Sequence, residues 1–346
     1  MTDLDVTPAR RSAGEVLSWS RAGVDPALRT AVDRLPESMR AIAGYHFGWW
    51  DEQGEPTGAD PGKAIRPAFA LLAAQAVGGA AATALPAAVA VELVHNFSLL
   101  HDDVMDGDTT RRHRPTAWSV FGVNAAILAG DALLTLALDV LAGSGHPSAA
   151  RAIRALSDAT QRLNDGQAAD LAFEERGDVR VAECVRMAEN KTAALIGAAC
   201  AVGALYGDAE GHQVEQLRSF GELVGLAFQF TDDLLGIWGD PAVTGKPVYS
   251  DLNNRKKSLP VVAALASGTP AARELDELYH CDAQLGPAEL ERAAELIEAT
   301  GARAWSLSQA EDLVARARVH LRAADPDDRA ERELHSLARL ATRRDR

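Results

Sequence analysis

The sequence predicts an all-α protein, and three observations carry that expectation. Ala- and Leu-rich segments recur along the 346 residues with apolar positions at helical spacing. Aromatic residues make up only 5% of the chain, and runs that alternate apolar and polar residues as a half-buried strand would are few. No fixed-period repeat is present, so the helices do not read as a solenoid.

The elements follow in order. Residues 1–14 are polar and predict a disordered tail, and 15–346 read as a single helical domain. Helical pattern starts near Ala13 to Trp19 and resumes from Pro26 to Ala43. Tyr45 to Trp50 reads as an aromatic helix end, and the Gly- and Pro-bearing stretch to Gly62 as a loop. Gly62-Lys63-Ala64-Ile65-Arg66-Pro67 then opens a helix running to Val77. Lys63 and Arg66 lie beside its N-terminus, where backbone N–H groups and the helix dipole already favour an anion. A helix from about Leu85 to Met105 follows, then a long Ala/Leu helix from Ala117 to Leu141. Gly143 to Pro147 is a break, and a helix from Ala149 to Asp165 leads to Gly166-Gln167 and Asp170. The segment Val181 to Tyr206 carries Asn190-Lys191-Thr192, and a lysine is unusual on so apolar a helix. A helix from His212 to Trp238 ends in a second acidic stretch, and Pro241 to Asp251 is a loop holding Gly245-Lys246-Pro247. Further helices over about 271–280, 288–299, 302–324 and 327–343 hold no chemistry of their own.

Composition excludes several classes. A formal net charge of −14 disfavours nucleic acid or an anionic membrane as a general partner, so a phosphate-bearing substrate would need local cations. Cys184, Cys200 and Cys281 form no CxxC, which indicates neither a disulfide framework nor a zinc site and fits a reducing cytoplasm. Met1 to Ala13 lacks the apolar core of a secretory signal. The most apolar stretches, such as Leu71 to Val94, are Ala/Gly-rich and interrupted by Pro86 and Glu92, so a soluble chain without a transmembrane segment is expected.

The chemistry concentrates where apolar helices run into aspartates. In the first such place Asp102 and Asp106 are one turn apart, and Asp103 and Asp106 are three residues apart, so the three can share a face. Their mutual repulsion calls for a cation, and an oxygen-only set suits Mg²⁺. Arg111 and Arg112 follow at once and could bind the phosphates such an ion would bring. His95, two turns before Asp102, shares that face and could donate to a phosphate. Asp232 and Asp233 repeat the pattern with Lys256 and Lys257 beyond them, and two such helices are hard to explain as surface solvation.

Together these residues resemble the polyprenyl synthetase family, the trans-isoprenyl diphosphate synthases, over about residues 26–340. The resemblance rests on Gly62-Lys63 to Arg66-Pro67, His95 to Asp106 with Arg111 and Arg112, Gly166-Gln167 to Asp170, Lys191-Thr192, Phe228-Gln229 to Asp233, Gly245-Lys246-Pro247 and Lys256 to Pro260. It implies an isoprenoid-synthase helical bundle around a deep central cavity, usually homodimeric, with the Ala/Leu helix 117–141 as a plausible interface. It implies that Asp102, Asp103, Asp106, Asp232 and Asp233 hold about three Mg²⁺ ions on an allylic diphosphate (dimethylallyl, geranyl or farnesyl). Arg111, Lys191, Lys246 and Lys256 would contact the same diphosphate, with Gln229 nearby, whereas Lys63, Arg66, His95 and Arg112 would bind isopentenyl diphosphate. Phe97 and Ser98, five and four residues before Asp102, would set chain length, and an aromatic at Phe97 without an insertion between Asp103 and Asp106 resembles a geranylgeranyl (C20) synthase. A terpene cyclase on the same fold, a synthase of different product length (C15 or above C20) and a non-catalytic regulatory subunit are the rival expectations. One position departs from the family pattern: Gly236 stands where the second motif usually has a third carboxylate, to be replaced by water or by Asp240.

Overall fold

The computed structural model describes residues 11–342 apart from 60, 61, 242–246, 280, 282 and 283. Helices carry 75% of the chain, which meets the all-α expectation. In order they are α1 (Ala13–Val32), α2 (Glu37–His46), α3 (Ile65–Ala76), α4 (Leu85–Met105), α5 (Ala117–Phe121), α6 (Val123–Ala142), α7 (Ala149–Glu174), α8 (Val181–Ala188) and α9 (Ala194–Tyr206). They continue as α10 (Gly211–Trp238), α11 (Ser250–Asn253), α12 (Leu259–Leu265), α13 (Pro270–Tyr279), α14 (Pro287–Ala299), α15 (Ala302–Ala323) and α16 (Asp328–Thr342). The strands among the described residues are β1 (Thr110–Arg111) and β2 (Arg114–Pro115), paired antiparallel.

Four local features differ from the sequence reading, each for a physical reason. The expected helix 117–141 is split at Gly122, whose φ of +87° no right-handed helix accepts. The helix expected to stop at Asp165 instead runs on through Gly166 to Glu174. A Cβ at residue 166 would lie 2.7 Å from the Cα of Lys191, so a side chain is excluded there by a crossing backbone. Lys191 itself sits in a π-helical turn, Glu189–Ala193, between α8 and α9. Single π turns of this kind often mark functional positions. The basic segment after α4, for which the sequence reading named no element, is the β1–β2 hairpin.

The chain divides into two compact units. One comprises Met1–Thr160, Leu195–Gly221 and His320–Leu337; the other comprises Gln161–Ala194, Glu222–Val319 and Ala338–Arg346. In the first unit α3, α4 and α6 bury Phe69, Leu71, Leu93, Leu100 and Leu133 completely, and burial of side chains that size contributes about 1.5–3 kcal/mol each. Its described N-terminus is anchored: Arg11 Nη2 donates to Glu333 Oε2 at 2.5 Å, and Ser12 and Glu15 form a reciprocal capping box at the start of α1. The second unit packs Cys184, Met187, Leu226, Phe230 and Leu259 in one cluster and Ile237, Val261, Leu275 and Leu296 in another.

Among the described residues α6 is the helix long and apolar enough to cross a membrane, and it is only partly buried. The inner face of α6 packs on α4, whereas Val123, Ile127 and Leu128 are exposed.

Candidate active site

In the first unit α4 delivers the first acidic motif. Asp103 points inward and is 1% exposed. Its Oδ1 accepts from Arg111 Nε at 2.7 Å and Nη2 at 2.6 Å, while its Oδ2 is buried without a partner. Burial raises the carboxyl of Asp103 against the opposing pull of Arg111. Asp102 is half-buried, and Asp106, the C-cap, is exposed. The three carboxylates therefore divide: one is committed to an arginine, and two stand more open.

The β1–β2 hairpin positions the arginines. Its two central residues, Arg112 and His113, have φ of +50° and +61°, the left-handed geometry a two-residue turn requires, and one that non-glycine residues adopt at a cost of about 1–2 kcal/mol each. Arg114 anchors the turn, donating to the carbonyls of Tyr45 and Trp50 at 3.1 Å each and stacking its guanidinium over the Tyr45 ring at 4.4 Å. Arg112 is thereby laid against Gly62, where a Cβ would come within 2.5 Å of its Nη2. The neighbouring Lys63 is exposed in the loop before α3. On α3, Arg66 Nη1 lies 3.2 Å from His95 Nε2. Arginine can only donate, so Nε2 accepts and the imidazole proton sits on Nδ1. Burial, followed by the charges of Arg66, Arg112 and Arg111, holds His95 well below the usual histidine range, hence neutral. A small cavity beside this cluster is lined by Tyr45, His46, Asp103, Arg111, Arg112 and Arg114, among others. The structure thus brings Arg66, His95, Arg112 and the Gly62-Lys63 loop into one basic assembly.

Five residues before Asp102 on α4, Phe97 is 5% exposed, with its ring edge-on to His101 at 4.8 Å. The hydroxyl of Ser98 donates to the His95 carbonyl at 2.8 Å and is spent on its own helix.

In the second unit α10 delivers Gln229, Asp232 and Asp233. A chain of hydrogen bonds fixes them: Thr192 Oγ1 donates to Gln229 Oε1 at 2.6 Å, Gln229 Nε2 donates to Asp233 Oδ1 at 2.8 Å, and the Leu259 N–H at the start of α12 donates to Asp233 Oδ2 at 2.9 Å. Burial pushes Asp233 up to about 7, with Lys256 opposing the shift. Burial disfavours charge on Lys256 as well, but Asp251, Asp233, Asp170 and Asp232 outweigh it and raise the ammonium above its usual range. Lys191 Nζ meets Asp170 Oδ2 at 2.6 Å, and an ammonium so engaged still has protons to offer. Lys246 lies outside the described residues.

Several contacts of these residues escaped the sequence reading. Arg114 and Thr192 act through tertiary hydrogen bonds that no local spacing encodes. Asp170 was noted beside Gln167, but its pairing with Lys191 was not foreseen.

No group of three His, Cys, Asp or Glu side chains is close enough to cage a metal among the described residues. The donors nonetheless fit Mg²⁺: the partnerless buried Asp103 Oδ2 and the half-buried Asp102 and Asp232 are hard oxygen ligands, and Mg²⁺ characteristically takes one or two carboxylates and completes its shell with water and substrate phosphate.

An all-α chain in which two helices end in paired aspartates, each trailed by basic residues, is of the isoprenyl-synthase class of helical bundle. The polyprenyl synthetase family profile matches residues 50–297, and the chain belongs to that family. It is 49% identical over 335 residues to a (2E,6E)-farnesyl diphosphate synthase of Mycobacterium tuberculosis, covering 93% of this chain and 91% of the relative. It is 45% identical over 331 residues to a geranylgeranyl diphosphate synthase of the same organism, covering 95% and 93%. The crystal structure of a polyprenyl synthetase from Streptomyces coelicolor superposes with a TM-score of 0.91 at 48% identity, covering 94% of this chain and 98% of that one.

Proposed function

We propose that the chain condenses isopentenyl diphosphate head-to-tail with an allylic diphosphate, with Mg²⁺, to give geranylgeranyl diphosphate. The observation that carries this reading is the basic assembly of Arg66, His95, Arg112 and the Gly62-Lys63 loop. It is a second diphosphate-binding set besides the acidic motifs, and a terpene cyclase has no use for one. The acidic motifs, in which Gly236 is the one departure, likewise speak against a non-catalytic subunit.

In the reaction the allylic C–O bond breaks and its electron pair leaves with pyrophosphate. The resulting cation is attacked by the double bond of isopentenyl diphosphate, and a proton then passes to the departing pyrophosphate. Bound Mg²⁺ supplies Lewis-acid stabilisation of that leaving group. Asp102, Asp103, Asp106, Asp232 and Asp233 would hold the ions. Arg111, Lys191 and Lys256, and by the family resemblance Lys246, would bring positive charge to the same diphosphate, and Asp103 and Asp170 hold Arg111 and Lys191 in place. Preorganised charge of this kind contributes more than any nucleophile here, and none is needed. Lys63, Arg66, His95 and Arg112 orient the second substrate.

The buried Phe97, wedged on His101, supports a cavity floor set for C20, and the relative named as a farnesyl synthase supports C15 as the second reading. Mass spectrometry of the diphosphates made from dimethylallyl, geranyl and farnesyl diphosphates decides between them. A C20 end product from all three is expected, and a C15 end product overturns the chain-length assignment. The exposed Val123, Ile127 and Leu128 of α6 support a homodimer built on that helix. The acidic composition and the three free cysteines support a cytoplasmic location.

A further inference from the structure

Lys191 and Thr192 sit on one π turn, and that turn is gripped from two sides. Its defining bond runs from the Ala194 N–H to the Glu189 carbonyl, five residues back where an α-helix would reach four. The wider turn spreads successive side chains by less than the ~100° of an α-helix, so three consecutive residues find partners on α7 or α10. Asn190 meets Arg162 and Asp165, Lys191 meets Asp170, and Thr192 meets Gln229.

The grip is strongest at Asn190, which engages both ends of its amide. Its Oδ1 accepts from Arg162 Nε at 3.2 Å, and its Nδ2 donates to Asp165 Oδ2 at 2.9 Å. Arg162 also donates through Nη1 to Glu222 Oε1 at 2.5 Å, so one guanidinium ties α7 to the π turn and to α10. On either side a glycine lies against the backbone of the turn. A Cβ at Gly166 of α7 would stand 2.7 Å from the Lys191 Cα, and one at Gly225 of α10 would stand 2.6 Å from the Ala193 Cα. Backbone meets backbone at both contacts, so the polar clasp sets the register. The side chains of Arg162 and Glu222 are 38% and 29% exposed, and an ion pair so open to solvent adds little to folding stability.

Resting on the function proposed above, we infer that Arg162 is a positioning residue for the allylic diphosphate. Through Asn190 it fixes the π turn from which Lys191 meets that diphosphate and Thr192 orients the Gln229–Asp233 chain. It acts through the turn and not on the substrate.

The test is steady-state kinetics of the full chain with geranyl and isopentenyl diphosphates and Mg²⁺, with urea unfolding and amide hydrogen exchange over residues 189–194 followed in parallel. Arg162→Ala is expected to lower kcat/KM for geranyl diphosphate about tenfold or more, the scale on which a small misplacement of a charged group acts. KM for isopentenyl diphosphate is expected to stay within about twofold of the wild type. Exchange over 189–194 quickens in the same variant, with the unfolding midpoint nearly unchanged. In a Lys191→Ala background Arg162→Ala costs much less than in the wild type, because the group it positions is gone. Wild-type kinetics in a folded Arg162→Ala overturn the inference. So does an equal loss for both substrates, or an undiminished loss in the Lys191→Ala background, since either makes the clasp purely structural. Should Arg162→Ala fail to fold, Asn190→Ala decides: a loss confined to the allylic substrate supports the inference, and any other result overturns it. A wild-type chain that transfers no isopentenyl unit to geranyl diphosphate overturns the underlying reading, and this inference with it.

Discussion

The guanidinium of Arg112 occupies the space in which a side chain at Gly62 would begin, with Nη2 2.5 Å from the Cβ that residue 62 lacks. The contact ties the loop before α3 to the tip of the β1–β2 hairpin, so the conformations of two sequence-distant motifs are coupled. Gly62→Ala places a Cβ on a residue at φ +87° and displaces Arg112. The expected result is a rise of about tenfold in KM for isopentenyl diphosphate with little change in kcat, the signature of lost ground-state binding. Arg112→Ala gives the same pattern more strongly. Steady-state rates with isopentenyl diphosphate varied at saturating allylic substrate provide the check, and an unchanged KM in both variants removes Arg112 from that site.

Asp102→Ala acts on the other substrate. Loss of an ion-holding carboxylate lowers kcat, by about 10²–10³-fold on the scale of a single electrostatic group. Near-normal turnover in this variant contradicts the assignment of the first motif to Mg²⁺.

Phe97→Ala opens the space beneath the first motif. Products longer than those of the wild type are expected, accompanied by destabilisation of about 3–5 kcal/mol, typical of emptying a buried aromatic site. Product length is read by mass spectrometry and stability by urea unfolding. Destabilisation with an unchanged product assigns Phe97 to packing alone.

His46 offers a test by pH. Burial, followed by the charges of Arg111 and Arg112, lowers its pKa to about 3 in the folded protein, against about 6.5 in an unfolded chain. Between these values the unfolded state binds the extra proton, so stability falls as pH drops from about 6.5 toward 3, in full by on the order of 5 kcal/mol. His46→Gln removes this contribution. Unfolding midpoints measured at pH 7 and pH 4.5 should therefore diverge less in the variant than in the wild type, and equal divergence refutes a buried neutral His46.

Where the sequence was sufficient, the signal was periodic: α4 and α10 were readable as apolar helices ending in aspartates, and the helices after residue 270 were placed within a residue or two. Where it was not, the cause was tertiary. Nothing in Thr110-Arg111-Arg112-His113-Arg114-Pro115 has the Asn-Gly chemistry of a tight hairpin; the turn is imposed by Arg114 reaching the Tyr45 and Trp50 carbonyls. The π turn at Lys191 similarly reflects close backbone approaches, since a Cβ at Gly225 would stand 2.6 Å from the Ala193 Cα. The candidate site residues could be named because their types and order match a family. Their orientation, with Asp103 turned inward to Arg111 and Lys191 held by Asp170, could not.

The central claim is condensation between two diphosphates, and the most direct measurement is incubation of the chain with farnesyl diphosphate, labelled isopentenyl diphosphate and Mg²⁺. Label transferred into a longer prenyl diphosphate, and abolished by chelation of the metal, is the predicted result. Release of an unlabelled hydrocarbon with isopentenyl diphosphate left unconsumed would contradict it.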